Sequence, residues 1–177
     1  MFDKEQLISD CRGALQGDRA SRNVREIVAR AVADSASVIR GLGEPKQGGL
    51  DVLYRSPELT VLNVLWAARR IVMPHNHNMW AVIGVYDGRE DNILWRQLPE
   101  DANASIEAAG AKTLGAGDTI AFGADVIHSV VNPLERITGA IHVYGGDFFR
   151  PDRVEWDPES LQERPWDPEK ALQRLVS

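Results

Sequence analysis

The stretch MPHNHNMWAVIGVYDG, residues 73 to 88, sets His75 and His77 two residues apart in a run that otherwise reads as a buried strand. Side chains two apart on a strand share a face, so both imidazoles project together while Asn76 projects the other way. Two neutral imidazoles on one face can chelate a transition metal. Neighbouring histidines also serve as hydrogen-bonded core residues, and the pair alone leaves both readings open. The other two of the four histidines stand in comparably ordered surroundings. His128 follows a glycine-aspartate turn, a short strand and a second turn in GDTIAFGADVIHSVVN, residues 117 to 132, with Asn132 four residues further on. Asn132 is open to a hydrogen bond near such a site or to a turn role before Pro133. In GAIHVYGG, His142 and Tyr144 are again two apart and so share a face of a late strand.

Strands must position these residues, and the chain supplies them. From Leu50 to about Tyr144 it runs in short stretches rich in Val, Ile, Leu, Trp and Tyr, punctuated at RSPE, YDGRE, PEDANAS, LGAGD and VNPLER. Many short strands with regular punctuation predict a sandwich or barrel, and no long helical period interrupts them as a doubly wound parallel sheet would require. Residues 1–45 differ: Leu7, Ile8, Cys11 and Leu15, then Val24, Ile27, Val28, Ala31 and Val32, recur at helical spacing. This predicts two helices, the second capped by Ser21 and closed by GLGEPKQGG. After a β core over residues 50–149, the extension from 150 to 177 carries WDPE twice, at Trp156 and Trp166. Asp as cap, Pro in the first turn and Glu near the positive end of the helix dipole predict a short helical tail.

At 177 residues the chain can bury one good core and is short for two, so one domain is expected. No apolar run approaches the roughly 20 residues that span a bilayer. The start, MFDKEQLISD, is acidic where a secretory signal is basic, and the lone cysteine, Cys11, excludes an internal disulfide; both fit a cytoplasmic protein. A formal charge of −6 disfavours general binding to phosphate backbones, so neither nucleic acid nor membrane is expected as a partner. A monomer or homodimer acting on a small molecule is expected.

Residues 117 to 132 resemble the second motif of the cupin superfamily, in which a glycine leads through a turn to a metal-binding histidine. Gly123 and Asp125 stand where that turn usually has Pro and Gly. Residues 75 to 88 resemble the first cupin motif, His-x-His followed about 11 residues later by a turn glycine, here Gly88. The resemblance implies a mostly β fold, the cupin double-stranded β-helix, with N-terminal helices and a short C-terminal helical tail. It also implies a metal held by His75, His77 and His128. Most cupins add a glutamate four or five residues after the second histidine, where this chain has Ala81 and Val82. The nearest acids, Asp87 and Glu90, lie at or beyond the turn and are expected to face away.

Replacing the carboxylate by a third neutral imidazole leaves the site at the metal's full charge, which suits an anionic substrate atom such as a thiolate or enolate. Among cupins, three-histidine iron is the arrangement of the thiol dioxygenases, the cysteine dioxygenase group, and His142 with Tyr144 resembles that group's Ser-x-His-x-Tyr element. There the tyrosine hydroxyl points at the iron and the histidine orients it. Ala140 replaces the serine, so the relay behind His142 is shortened, and Tyr144 has no neighbouring cysteine to be linked to. The family's carboxylate-binding arginine, near a tyrosine, points to Arg55 and Tyr54, with Arg69 and Arg70 as competitors. Trp80 and Met79 are candidates to line the cavity. The resemblance thus implies an Fe(II) dioxygenase, able to take up Ni or Zn on purification, that oxidises the sulfur of a small thiol with O2 to a sulfinate. Rival readings are a cupin acting on an enolate or diketone and a non-catalytic cupin that binds a small ligand.

Overall fold

The computed structural model describes residues 1–98, 105–150 and 152–167. Three helices come first: α1 (Lys4–Gly13), α2 (Ala20–Val32) and α3 (Ser35–Leu42). Two were expected. The apolar periodicity breaks where the Asp34 carboxylate accepts the Ser37 backbone N–H and starts a third. Ser21 is not a cap either, because α2 begins one residue earlier and Arg19 occupies the N-cap without a side-chain hydrogen bond.

Eleven strands follow among the described residues: β1 (Gly49–Arg55), β2 (Thr60–Trp66), β3 (Ile71–Asn76), β4 (Ala81–Asp87), β5 (Arg89–Gln97), β6 (Ile106–Gly115), β7 (Thr119–Phe122), β8 (Ile127–Val131), β9 (Thr138–Tyr144), β10 (Val154–Trp156) and β11 (Glu163–Pro165). They form two antiparallel sheets, one ordered β1-β2-β9-β4-β7 and the other β11-β10-β3-β8-β5-β6. The fold class is therefore mostly β, as the punctuation of the sequence predicts. The PEDANAS turn lies almost wholly in residues 99–104, outside the described residues.

Strand β4 shows why its sequence, AVIGVYD, is apolar throughout. Ala81, Ile83 and Val85 face the space between the sheets with Leu62, Val64, Trp66 and Ala140. Val82 and Tyr86 face the helices, joining Val24, Val28 and Val32 of α2. A strand covered on both faces reads as a continuous hydrophobic run. Gly84 shares the helix-facing side, and a Cβ there would come within 2.4 Å of a Val28 methyl carbon, so only glycine lets α2 approach this closely.

The run that reads as one strand is two. Asn78, at φ +53°, turns the chain between β3 and β4, which belong to different sheets. His75 therefore ends a strand of one sheet and His77 stands in the connection to the other. Gly88, at φ +82°, makes the expected turn into β5, where a Cβ would meet the Thr138 hydroxyl oxygen at 2.3 Å.

The expected helical tail is instead a hairpin over the described part of residues 150–177. Asp157 does cap, its Oδ1 accepting the N–H groups of Glu159 and Ser160 at 3.0 Å each. Leu161 then adopts φ +55° and the chain returns as β11, so one turn forms and no helix propagates. Of the second WDPE, Pro168 and Glu169 lie outside the described residues. The hairpin extends the β3 sheet, with Glu155 of β10 opposite His75.

Candidate metal centre

Pairing of β3 with β8 sets His75 opposite His128, and the tight connection after β3 folds His77 against both. The His77 Nε2 lies 3.2 Å from His75 Nε2 and 3.4 Å from His128 Nε2. The outer nitrogens are engaged elsewhere: His75 Nδ1 is 2.9 Å from the Met73 carbonyl and His128 Nδ1 is 2.7 Å from Asn92 Oδ1. A carbonyl oxygen only accepts, so His75 Nδ1 carries the proton and its Nε2 lone pair faces the other imidazoles. His77 and His128 are buried and His75 half-buried. Burial depresses the basicity of all three, with the Arg153 cation adding to the effect, and His75 is pushed down to about 4.

Neutral imidazoles with converging lone pairs repel one another unless a cation stands between them. An ion 2.0–2.1 Å from each nitrogen would separate its donors by roughly 3 to 3.4 Å, which matches the spacing found. The three histidines are thus positioned to hold one metal ion, and they are the one such grouping among the described residues. Ala81, one of the two positions where the resemblance would place a glutamate ligand, faces the same interior and offers no ligand.

His142 and Tyr144 reach this interior from β9. Their side chains meet, His142 Nδ1 lying 3.0 Å from the Tyr144 hydroxyl, and the Tyr144 ring sits 4.9 Å from that of His77. Burial raises the Tyr144 phenol well above its ordinary pKa, so it remains protonated at neutral pH.

Glu90 departs from the sequence reading. It is fully buried and points inward, with Oε2 accepting from Trp66 Nε1 at 2.7 Å and lying 3.3 Å from His142 Nε2, and Oε1 accepting from Asn92 Nδ2 at 3.0 Å. Burial alone would raise its pKa. The facing His142 and the three hydrogen bonds outweigh that and hold it below the usual carboxylate value.

The recess measures about 690 Å³ including its mouth and is walled by Val64, Val72, Phe148, Phe149 and Trp166 as well as the imidazoles and Tyr144. Arg153 enters from the C-terminal hairpin. It is 2 % exposed, donates from Nε to the Asn76 carbonyl at 3.0 Å and from Nη1 to the Phe148 carbonyl at 2.8 Å, and stacks on Phe148 and Trp166. Its Nη2 has no hydrogen-bond partner among the described residues. Burial lowers its pKa to about 10, which leaves it cationic at neutral pH.

The expected substrate-binding residues lie elsewhere. Arg55 is half exposed and forms a two-pronged ion pair with Asp147, at 2.8 Å on each arm. Tyr54 packs against the helical layer under the Arg12 guanidinium. Trp80 packs into that same layer against Gly145, where a Cβ would meet the indole at 2.1 Å. None of the three lines the recess, and neither does Met79. The competitor Arg69 is exposed and paired with Glu135. Asn132 serves its turn, bonding the carbonyls of Trp66, Ala67 and Arg136 and the N–H of Leu134.

No protein-family model matches the chain, and no curated protein does. Among solved structures it is similar to an RmlC-like cupin with a double-stranded β-helix fold from Methanocaldococcus jannaschii, at 10% identity over 60% of this chain and 85% of that one, TM-score 0.47. It is similar to KdgF from a Halomonas species at 18% identity, 58% and 79% coverage and TM-score 0.44. DMSP lyase DddQ from Ruegeria pomeroyi matches at 18% identity, over 64% of this chain and 53% of that one, with TM-score 0.48. The structural neighbours are thus cupin proteins. Likeness at this level says nothing of chemistry, which rests on this chain's own side chains.

Proposed function

We propose that the chain is a non-haem iron-dependent dioxygenase that oxidises the sulfur of a small thiol bearing a carboxylate. The overall change is RSH + O2 → RSO2⁻ + H⁺, both oxygen atoms ending on sulfur. One observation carries the reading: three neutral imidazoles converge in the same recess that holds a buried guanidinium with an unused donor.

A buried cation with an unused donor is costly, and an anionic ligand on Arg153 would offset that cost. Arg153 would receive the substrate carboxylate on Nη2, in the role the sequence resemblance gives to Arg55. Fe(II) on His75, His77 and His128 would supply a Lewis-acidic anchor for the thiolate and an electron path to dioxygen. Because the ligands are neutral, two positive charges of the metal and one of Arg153 face a substrate with two negative groups. Tyr144 stands against His77 and would bound the space in which the substrate binds. Phe148, Phe149 and Trp166 would keep water from the reacting sulfur.

The test is metal analysis of purified protein followed by oxygen-uptake assays under reducing conditions with matched thiols with and without a carboxylate. About one iron per chain and uptake selective for thiol acids are expected. No uptake with any thiol at full iron loading would defeat the reading, and uptake with diketones alone would replace it with carbon-carbon cleavage.

A further inference from the structure

Glu90 is a buried carboxylate on which nitrogens of Trp66, Asn92 and His142 converge, an arrangement of acceptor oxygens among donors; metal binding and substrate anchoring leave it without a task, yet it touches both halves of the site. One arm runs through Asn92 to His128 and the other through His142 to Tyr144. An ionised carboxylate only accepts hydrogen bonds, so every group facing it must donate. That single constraint propagates. Asn92 must turn its Nδ2 toward Glu90, which turns its Oδ1 toward His128 and requires a proton on His128 Nδ1. His142 must carry a proton on Nε2, which in a neutral imidazole leaves Nδ1 bare to accept from the Tyr144 hydroxyl.

We propose that Glu90 is a positioning residue that sets the tautomers of His128 and His142 together, presenting the His128 Nε2 lone pair to the metal and the Tyr144 oxygen lone pairs to the recess. The sequence departs from the thiol dioxygenases at Ala140, where their serine would stand behind this histidine. Glu90 does that serine's work from the opposite sheet and ties it to a metal ligand as well. Tyr144 is then a hydrogen-bond acceptor toward the substrate, its own proton being committed to His142.

An amide cannot replace this carboxylate. If the oxygen of a Gln at position 90 faced Trp66 and His142, its NH2 would face Asn92, which would flip and offer Nδ2 to His128, forcing that imidazole to give up its Nδ1 proton. If the NH2 faced Trp66 and His142 instead, His142 would have to accept on Nε2 and donate from Nδ1 to Tyr144. Glu90→Gln must therefore reverse one arm.

The proposal rests on the metal reading of the three histidines and not on the substrate, so its test uses the metal-free protein. Long-range proton-nitrogen NMR of histidine-labelled protein reads each tautomer directly. In the wild type, His128 is expected protonated on Nδ1 alone and His142 on Nε2 alone. In Glu90→Gln, one of the two is expected to reverse; reversal at His128 brings a loss of metal affinity of at least tenfold, as for other groups that orient a metal-binding histidine. A doubly protonated or Nδ1-protonated His142 in the wild type overturns the proposal, and that measurement needs no variant to fold. So does a folded Glu90→Gln with both tautomers and metal affinity unchanged. Thiol oxidation can fail while these signals appear, and the reverse, so the two readings fall separately.

Discussion

The two faces of the five-stranded sheet are built by the same strands and could hardly differ more. On β9, Ile141 and Val143 point outward into the layer of Val24, Val28 and Val32, while His142 and Tyr144, two residues apart, point inward. The outer face is closed by helices and needs only shape and apolar area. The inner face buries imidazoles, a phenol, a carboxylate and, across the recess, a guanidinium, each of which costs stability unless partnered. Two groups stand out among the described residues: the three imidazole Nε2 atoms, which meet only one another, and Arg153 Nη2, which has no hydrogen-bond partner. Stability is made on one face, and on the other it is given up where a metal and an anion would restore it.

Substitutions should separate the faces. The largest effect belongs to His77, central to the triad: His77→Ala is expected to retain less than a tenth of the wild-type iron by metal analysis while keeping its fold by circular dichroism. Next, Arg153→Met is expected to lower kcat/KM for a thiol acid about a hundredfold, or roughly 3 kcal/mol, the scale for removing one partner of a buried charge pair. A thiol lacking the carboxylate should lose far less, and an equal loss for both would remove Arg153 from the carboxylate role. On the outer face, Gly84→Val is expected to destabilise by about 1–3 kcal/mol through overpacking against Val28, read as a lower denaturation midpoint, with iron content per folded chain unchanged.

Acid should act on the inner face. The folded pKa values of His75, His77 and His128 lie below the ordinary 6.5, so below that pH the unfolded chain binds more protons and gains. Stability of the metal-free protein is full above about 6.5 and should fall as pH drops toward 4, where His75 itself titrates in the fold. A denaturation midpoint flat over that window would contradict the buried neutral triad. The smallest effect concerns Cys11, whose thiol is buried in the helical layer and pushed up to about 12 by burial. It should resist thiol reagents at pH 8 until the chain is unfolded.

The parity of side chains on a strand made His142 and Tyr144 legible as a pair, whereas His75 and His77, though legible as a pair, meet because the connection after β3 folds His77 back and not because they share a strand face. The β class was legible in the punctuation, and the outer core in the spacing of Val24, Val28 and Val32. Glu90 and Asn92 were not, because an apolarity rule sends a carboxylate and an amide at alternate positions of β5 to solvent. Only the donors from Trp66, His128 and His142, on three other strands, turn them inward. Arg153 was hidden for another reason. It reaches the recess on a hairpin whose Asp-Pro-Glu cap reads equally well as a helix start, and the choice is made by Leu161 turning left-handed. Arg55 had the right chemistry for a carboxylate, and Asp147 of the same chain already supplies one.

If a thiolate binds at a metal held by His75, His77 and His128 beside Arg153, sulfur must enter the coordination of that metal. X-ray absorption of the iron-loaded protein, recorded without oxygen before and after adding a small thiol acid, reads the atoms around the metal. Only nitrogen and oxygen neighbours, from imidazole and water, are expected before addition, with a sulfur neighbour after it and a far weaker sulfur signal at the same thiol concentration in Arg153→Met. A spectrum unchanged by every thiol at full iron loading would rule out thiolate binding at this metal.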